Sequence, residues 1–212
     1  MSPLQRLIED AARLGVAVTE LDAARLLRLL DELERWNRTY NLTAITERED
    51  MLTHHLLDSL AVQPDLQGAS VADVGTGAGF PGLPLAVVNP QRRFSLLDSN
   101  GKKVRFVSHA ARALQLTNVE AVHGRAESAR PARPFDTVVA RAFAPLPELV
   151  RKVAPLCGQH TRVLAMKGKW PQQEVEALPP GWHVVATRQI EVPGLDESRC
   201  VIALQMQTAP SA

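Results

Sequence analysis

Only two cysteines occur in 212 residues, Cys157 and Cys200, far apart and in no C-x-x-C pattern. That spacing argues against a structural zinc site, and reduced thiols in a cytoplasmic protein are the simplest expectation. No run of about 18 apolar residues is present, so the sequence predicts no transmembrane helix. The start, MSPLQRLIEDAARLG, threads charges through its apolar positions and lacks the basic-then-apolar layout of a secretory signal. Internal repeats, low-complexity tracts and a continuous apolar interface stripe are also missing, and a monomer is the default expectation. What is present is ordinary for a globular chain with a real core: 45% hydrophobic and 22% charged residues.

The net charge of +1 hides an asymmetry. Residues 1–68 carry 7 Lys/Arg against 12 Asp/Glu, and residues 69–212 carry 17 against 11. The leader is acidic and the remainder basic, which is compatible with a polyanionic partner and equally with ordinary surface scatter. The boundary coincides with a change of pattern. In the expected helical N-terminal extension, 1–68, Ser2-Pro3 and Gly15 bracket a first helix. Thr19 opens a second, with Leu26, Leu29, Leu30, Leu33 and Trp36 at helical spacing. NRTYNLTAIT reads as a connector. Helical periodicity resumes through Met51, His55 and Leu60.

From residue 69 to 212, short β-branched runs alternate with helices. Strands are predicted at 70–75, 93–98, 119–124, 135–141 and 161–167, with helices near 82–88, 102–116, 146–155 and 171–177. This alternation predicts an α/β domain with a mostly parallel sheet covered on both faces. WHVVATRQIEV and SRCVIALQM are joined by PGLDE without a helix, so the chain should end in a hairpin with an antiparallel last strand.

The stretch VADVGTGAGFPG, 71–82, places a glycine loop between a strand and a helix. Glycines allow sharp turns and close approach to a ligand at the carboxyl end of a strand. Asp98 ends the next strand, where a carboxylate can accept both ribose hydroxyls. Two cofactors fit. Gly77, Gly79 and Gly82 satisfy G-x-G-x-x-G, as NAD-dependent oxidoreductases require. S-adenosylmethionine (SAM) is favoured by three features. Asp73 would repel a pyrophosphate and can help orient an ammonium group. Pro81 and Pro84 weaken the helix start as an anion cradle. The terminal hairpin matches the seventh strand of SAM-dependent methyltransferases. Structural roles stand beside these: Asp73 as a turn cap, Gly82 for close helix–strand packing, Asp98 as an N-cap.

Further segments extend the pattern: WNRTYNLTAI (36–45), HHLLDSL (54–60), DVGTGAGFPGLPLA (73–86), LLDSNGKKVRF (96–106), FDTVVARAFAPL (135–146), MKG (166–168) and VPGLDESRCVIAL (192–204). In this order they resemble the bacterial small-subunit rRNA guanine-N7 methyltransferases, the glucose-inhibited division protein B (RsmG/GidB) family. The resemblance implies a class I SAM-dependent methyltransferase fold, a Rossmann-like seven-stranded sheet with a helical N-terminal extension. It implies methylation of guanosine N7 in the 530 loop of 16S rRNA. The implied partner is 16S rRNA, a small ribosomal subunit or an assembly intermediate. By motif position it implies cofactor contacts at Gly75, Gly77, Phe80, Asp98, Ala126, Glu127 and Arg141. Position 80 is Phe where some relatives have Leu, and position 200 is Cys where relatives often have His.

Guanine N7 already holds an in-plane lone pair, so its methylation needs no general base. In agreement, no Asn-Pro-Pro-Tyr-like motif and no catalytic cysteine pair are seen. Orientation would carry the rate. Arg141 suits a carboxylate, guanine O6 or a phosphate, and with Lys167 it is a candidate for positioning the substrate. Lys167, Lys169 and Arg199 are candidate RNA contacts; the two lysines could also be solvated strand ends. Trp170 is open to packing or to base stacking. His54 and Asp58 are helical neighbours, but no third ligand suggests a metal. His55 and Asp58 read as polar members of a motif that borders the cleft or ties the helices to the core. Asn41 reads first as a turn residue. A non-catalytic SAM-binding ribosome assembly factor is the remaining alternative.

Overall fold

The computed structural model describes residues 1–207. Two helices, α1 (Pro3–Arg13) and α2 (Glu20–Tyr40), open the chain, each with a capping box, Ser2 with Gln5 and Thr19 with Asp22. In each, the cap side chain and the third helical residue satisfy orphan amides reciprocally. Leu26, Leu29, Leu30 and Leu33 of α2 are fully buried. The helix runs on through Asn37–Tyr40, part of the expected connector. Asn37 explains the difference. Its side chain is buried and bonds the backbone of Thr43 twice, accepting from N at 2.9 Å and donating to O at 3.0 Å. A polar residue thereby stabilises a helix end that apolar spacing does not mark. Asn41 then closes the helix in the left-handed region, φ 48°, as a turn residue.

The next segment departs from the expected α-helix. Met51–Leu57 is a π-helix, flanked by single α-turns, Arg48–Asp50 and Asp58–Leu60. The Asp58 amide bonds Thr53 O, five residues back. Widened turns of this kind are rare and concentrate at functional sites.

Seven strands follow: β1 (Ser70–Val74), β2 (Arg93–Asp98), β3 (Val119–His123), β4 (Thr137–Arg141), β5 (Arg162–Lys167), β6 (Trp182–Ile190) and β7 (Arg199–Met206). The sheet order is β3-β2-β1-β4-β5-β7-β6. β1 to β5 are parallel, and β7 is antiparallel to both β5 and β6. The order reverses beside β1, the usual ligand position in open α/β sheets. Four helices connect the strands: α3 (Gly82–Val88), α4 (Gly101–Ala113), α5 (Leu146–Val153) and α6 (Gln172–Glu176).

Both faces of the sheet are buried, as the apolar strands require. On one face, Val71 and Leu96 join a cluster with α3, α4 and the N-terminal helices, including Leu7, Leu30 and Leu56. On the other, Val74, Val138 and Ile202 pack with α5 through Leu146, Leu149 and Val153. No helix among the described residues is long and apolar enough to cross a membrane.

Candidate active site

The loop after β1 is held by its backbone amides, which bond β2, the loop itself and two carboxylates. Gly75 and Thr76 amides donate to Leu97 O at 2.9 and 3.0 Å; Gly79 and Phe80 donate to Thr76 O, both at 2.9 Å. The Gly77 amide donates to Asp98 Oδ2 at 2.9 Å, and Gly82 donates to Asp73 Oδ2 at 2.8 Å. A pyrophosphate therefore finds these amides already used, which counts against the dinucleotide alternative. Gly82 is the packing glycine: a Cβ there would lie 2.7 Å from Asp73 Oδ2 and Leu96 Cγ. Gly75 is needed for its conformation, φ +69°, and a Cβ would meet the Phe143 ring at 2.4 Å.

Asp73 is fully buried beneath the loop and does not face the cleft openly. Its Oδ2 accepts from Thr76 Oγ1 at 2.5 Å and from Gly82, the capping role foreseen for it. Desolvation pushes its carboxyl up to about 6. Its Oδ1 has no partner among the described residues. Asp73 lines neither cavity, so the ammonium contact expected of it is not made from this position.

Two cavities open at the carboxyl ends of the strands, each about 450 Å³. The first brings Gly75, Asp98, Ala126 and Glu127 together, as the sequence predicts. Asp98 is 9% exposed. It is fixed by Gly77 on one oxygen and by the Asn100 amide on the other, at 2.8 Å. The cap of α4 is Asn100, which accepts from Lys102, so Asp98 is no N-cap. Its carboxylate remains at the cavity wall, suited to ribose hydroxyls. Ala142, Phe143, Lys103 and Lys152 also line this space. Ala142 and Phe143 belong to ARAFAPL, but nothing in their chemistry marked them individually.

Gly77 supports this cavity from behind through Asp98. Phe80 lines neither cavity. Its ring is buried and stacked on His55, 4.6 Å between centroids, with the Arg141 guanidinium 5.8 Å from its centre. Arg141 belongs to the second cavity, with His54, His55, Asp58, Lys167 and Arg199. Ala142 borders both cavities, so their ligands would meet there.

Asp58 organises the second cavity. It is 4% exposed and accepts from Arg141 Nη1 at 2.9 Å and Arg199 Nε at 3.1 Å. Arg141 also donates to His54 O at 2.8 Å. The segment both borders the cleft and ties the helices to the sheet, so the two expectations for it hold together. His55 is buried, its Nε2 3.1 Å from Thr43 Oγ1, and its Nδ1 has no partner among the described residues. Burial and the nearby Arg141 push it down to about 4, so it is neutral near pH 7. Lys167 donates to Glu174 at 2.8 Å and to Ala144 O at 3.1 Å, so it is no free strand-end charge. Lys169 is exposed outside both cavities. Trp170 is 39% exposed and donates to Gln172 Oε1, against its reading as a packing residue.

The comparisons agree with this geometry. Residues 22–202 match the family described as rRNA small subunit methyltransferase G. The chain is 43% identical to "Ribosomal RNA small subunit methyltransferase G" of Marinobacter nauticus, over 92% of this chain and 91% of that one. It is 41% identical to the protein of the same name from Cronobacter sakazakii, over 97% and 98%. Among solved structures, TrmN from Thermus thermophilus aligns with a TM-score of 0.56 at 22% identity, over 73% of this chain and 53% of that one. A SAM-dependent methyltransferase from Aquifex aeolicus aligns with a TM-score of 0.55 at 20% identity, over 78% and 97%. These two support the fold, and with the extent of the closer matches the chain belongs to the rRNA small subunit methyltransferase G family.

Proposed function

We propose that this protein is a SAM-dependent methyltransferase acting on small-subunit rRNA, and that its target atom is N7 of a guanosine in the 530 loop. One observation carries the reading: two cavities meet at Ala142, one with the Asp98 carboxylate at its wall and one lined by Arg141, Lys167 and Arg199. In the second cavity both oxygens of Asp58 are engaged by arginines, and His55 is a weak base at about 4. N7, with its own lone pair, is an acceptor that such a site can serve. The choice of N7 and of the 530 loop rests on the family resemblance.

When bound, SAM supplies an activated methyl group. Asp98 and Glu127 would hold its nucleoside end, beside Gly75 of the glycine loop. Arg141 and Arg199, held by Asp58, orient the incoming nucleotide so that N7 faces the passage at Ala142. Alignment of the reacting atoms, with no proton transfer, supplies most of the acceleration. His55 stays uncharged, which avoids placing another cation beside a purine that gains positive charge.

The test uses labelled SAM and small subunits from a strain lacking the enzyme, with digestion of the RNA and identification of the labelled nucleoside. Label in 7-methylguanosine is the expected result. Label in another nucleoside would refute the N7 assignment. SAM binding without any transfer would favour an assembly factor.

A further inference from the structure

The motif WNRTYNLTAI contributes Ile45 to the second cavity, but its aromatic residues have no part in the site described above. Trp36 packs edge-on against Phe106 of α4, 5.6 Å between centroids, and lies 5.0 Å from His109. Tyr40, the last residue of α2, sits on the outer side of Trp36 at 5.2 Å and is 42% exposed. It is thus a ring buttressed from below and open above. Its chain neighbour Asn41 is fixed in a left-handed turn, and the doubly bonded Asn37 anchors the same turn. The ring therefore stands on a rigid helix end.

Exposed cations lie on the same two helices. Lys102, Arg105 and Arg112 recur at three-to-seven spacing along one exposed edge of α4, and Arg38 is exposed on α2. None of these four forms an ion pair among the described residues. The carboxylates of this part of α2 already have partners. Glu32 is paired with His109 at 2.8 Å and Arg35 at 3.4 Å, while Asp31 and Glu34 are paired with Arg48. The contacts of Glu32 with His109 and of Trp36 with Phe106 set α2 and α4 antiparallel. Tyr40 therefore lies toward the Lys102 end of α4, and that end carries Ser99 and Lys103, which line the first cavity. The acidic leader thus presents an aromatic end toward the basic start of α4.

We infer that Tyr40, with Arg38, Lys102 and Arg105, forms a docking surface for single-stranded RNA flanking the target nucleotide. It rests on the RNA-directed function proposed above and adds the surface that would hold the strand. A supported ring stacks on an unpaired base whatever its sequence, and the cations track the phosphates. Sequence-specific RNA recognition works mainly on such splayed single strands.

The experiment compares Tyr40→Ala, the double variant Lys102→Ala/Arg105→Ala and, as a control at the far end of α2, Leu21→Ala. Three quantities are read: KM for small subunits lacking the modification, binding of an unstructured RNA oligonucleotide across salt, and SAM affinity by calorimetry. Tyr40→Ala is expected to raise KM and weaken oligonucleotide binding about tenfold. The double variant should flatten the dependence of log K on log salt by roughly one unit. SAM affinity and the control should match the wild type. Wild-type KM and salt slope in both variants would overturn the inference, as would a parallel loss of SAM affinity. Effects on subunits without effects on the oligonucleotide would also overturn it, by pointing to a ribosomal protein. If the wild type binds RNA with these variant effects yet transfers no methyl group, the surface stands and the enzymatic function falls. Normal transfer with unaffected variants gives the reverse.

Discussion

Replacing Asp58 by asparagine tests the organisation of the substrate cavity. The carboxylate is 4% exposed and bridges Arg141 at 2.9 Å and Arg199 at 3.1 Å. Asparagine keeps one acceptor and turns an amide N–H₂ toward the other guanidinium. Breaking a buried ion pair costs about 3–5 kcal/mol. Here the two arginine side chains are 21% and 19% exposed, so water recovers part of that loss. A net cost of about 2–3 kcal/mol follows, or roughly 5–10 °C in Tm for a chain of this size. The freed arginines also lose their orientation, and kcat/KM for small subunits should fall about a hundredfold. SAM binding, in the neighbouring cavity, should change less than twofold. Calorimetric unfolding, SAM titration and subunit kinetics on one preparation give all three numbers. Unchanged Tm and kcat/KM would refute the bridging role. A loss of SAM affinity with intact RNA kinetics would show that the two cavities have been assigned the wrong ligands.

Four further outcomes follow from the same geometry. Asp98→Ala removes the carboxylate expected to hold the ribose and should weaken SAM binding about a hundredfold by calorimetry; an unchanged Kd would discredit the first cavity. Gly82→Ala forces a methyl group against Asp73 and Leu96 and should lower stability by about 1–3 kcal/mol in denaturant unfolding. Lys167→Ala releases Glu174 and the Ala144 carbonyl, and should reduce subunit turnover more than SAM affinity. The pH dependence of His55 has a definite sign. Its folded value, about 4, lies below the unfolded value of 6.5. Stability is therefore unaffected above that value and is lost as pH falls from about 6.5 toward 4, by about 3 kcal/mol. Asp73, raised to about 6, works oppositely between about pH 6 and 4. The difference between wild type and His55→Gln isolates the histidine, and parallel stability curves would show that burial does not hold it neutral.

Much of the fold is legible because its determinants are local. β-branched runs separated by glycine and proline mark the strands, and β2 and α3 occupy the residues expected of them. The first cavity is legible for the same reason, since Gly75 and Asp98 are spaced by one strand–loop–helix unit. Three features are not. The π-helix at Met51–Leu57 depends on which carbonyl each amide chooses, and side-chain periodicity does not encode that choice. The last turn of α2 depends on a buried asparagine that binds backbone six residues away. The Asp58 bridge joins partners 83 and 141 residues apart, a proximity that only the finished sheet creates.

That bridge has a consequence during synthesis. A ribosome releases the chain from its N-terminus, and early segments can fold before late ones exist. Every residue lining the first cavity lies between Val74 and Lys152, whereas the second cavity includes Arg199, on the last strand. A nascent or truncated chain therefore has the parts to hold a nucleoside before it has the parts to grip a nucleotide of RNA. The modifying centre closes only when the final hairpin docks, so incomplete molecules carry Asp58 and Arg141 without the second clamp.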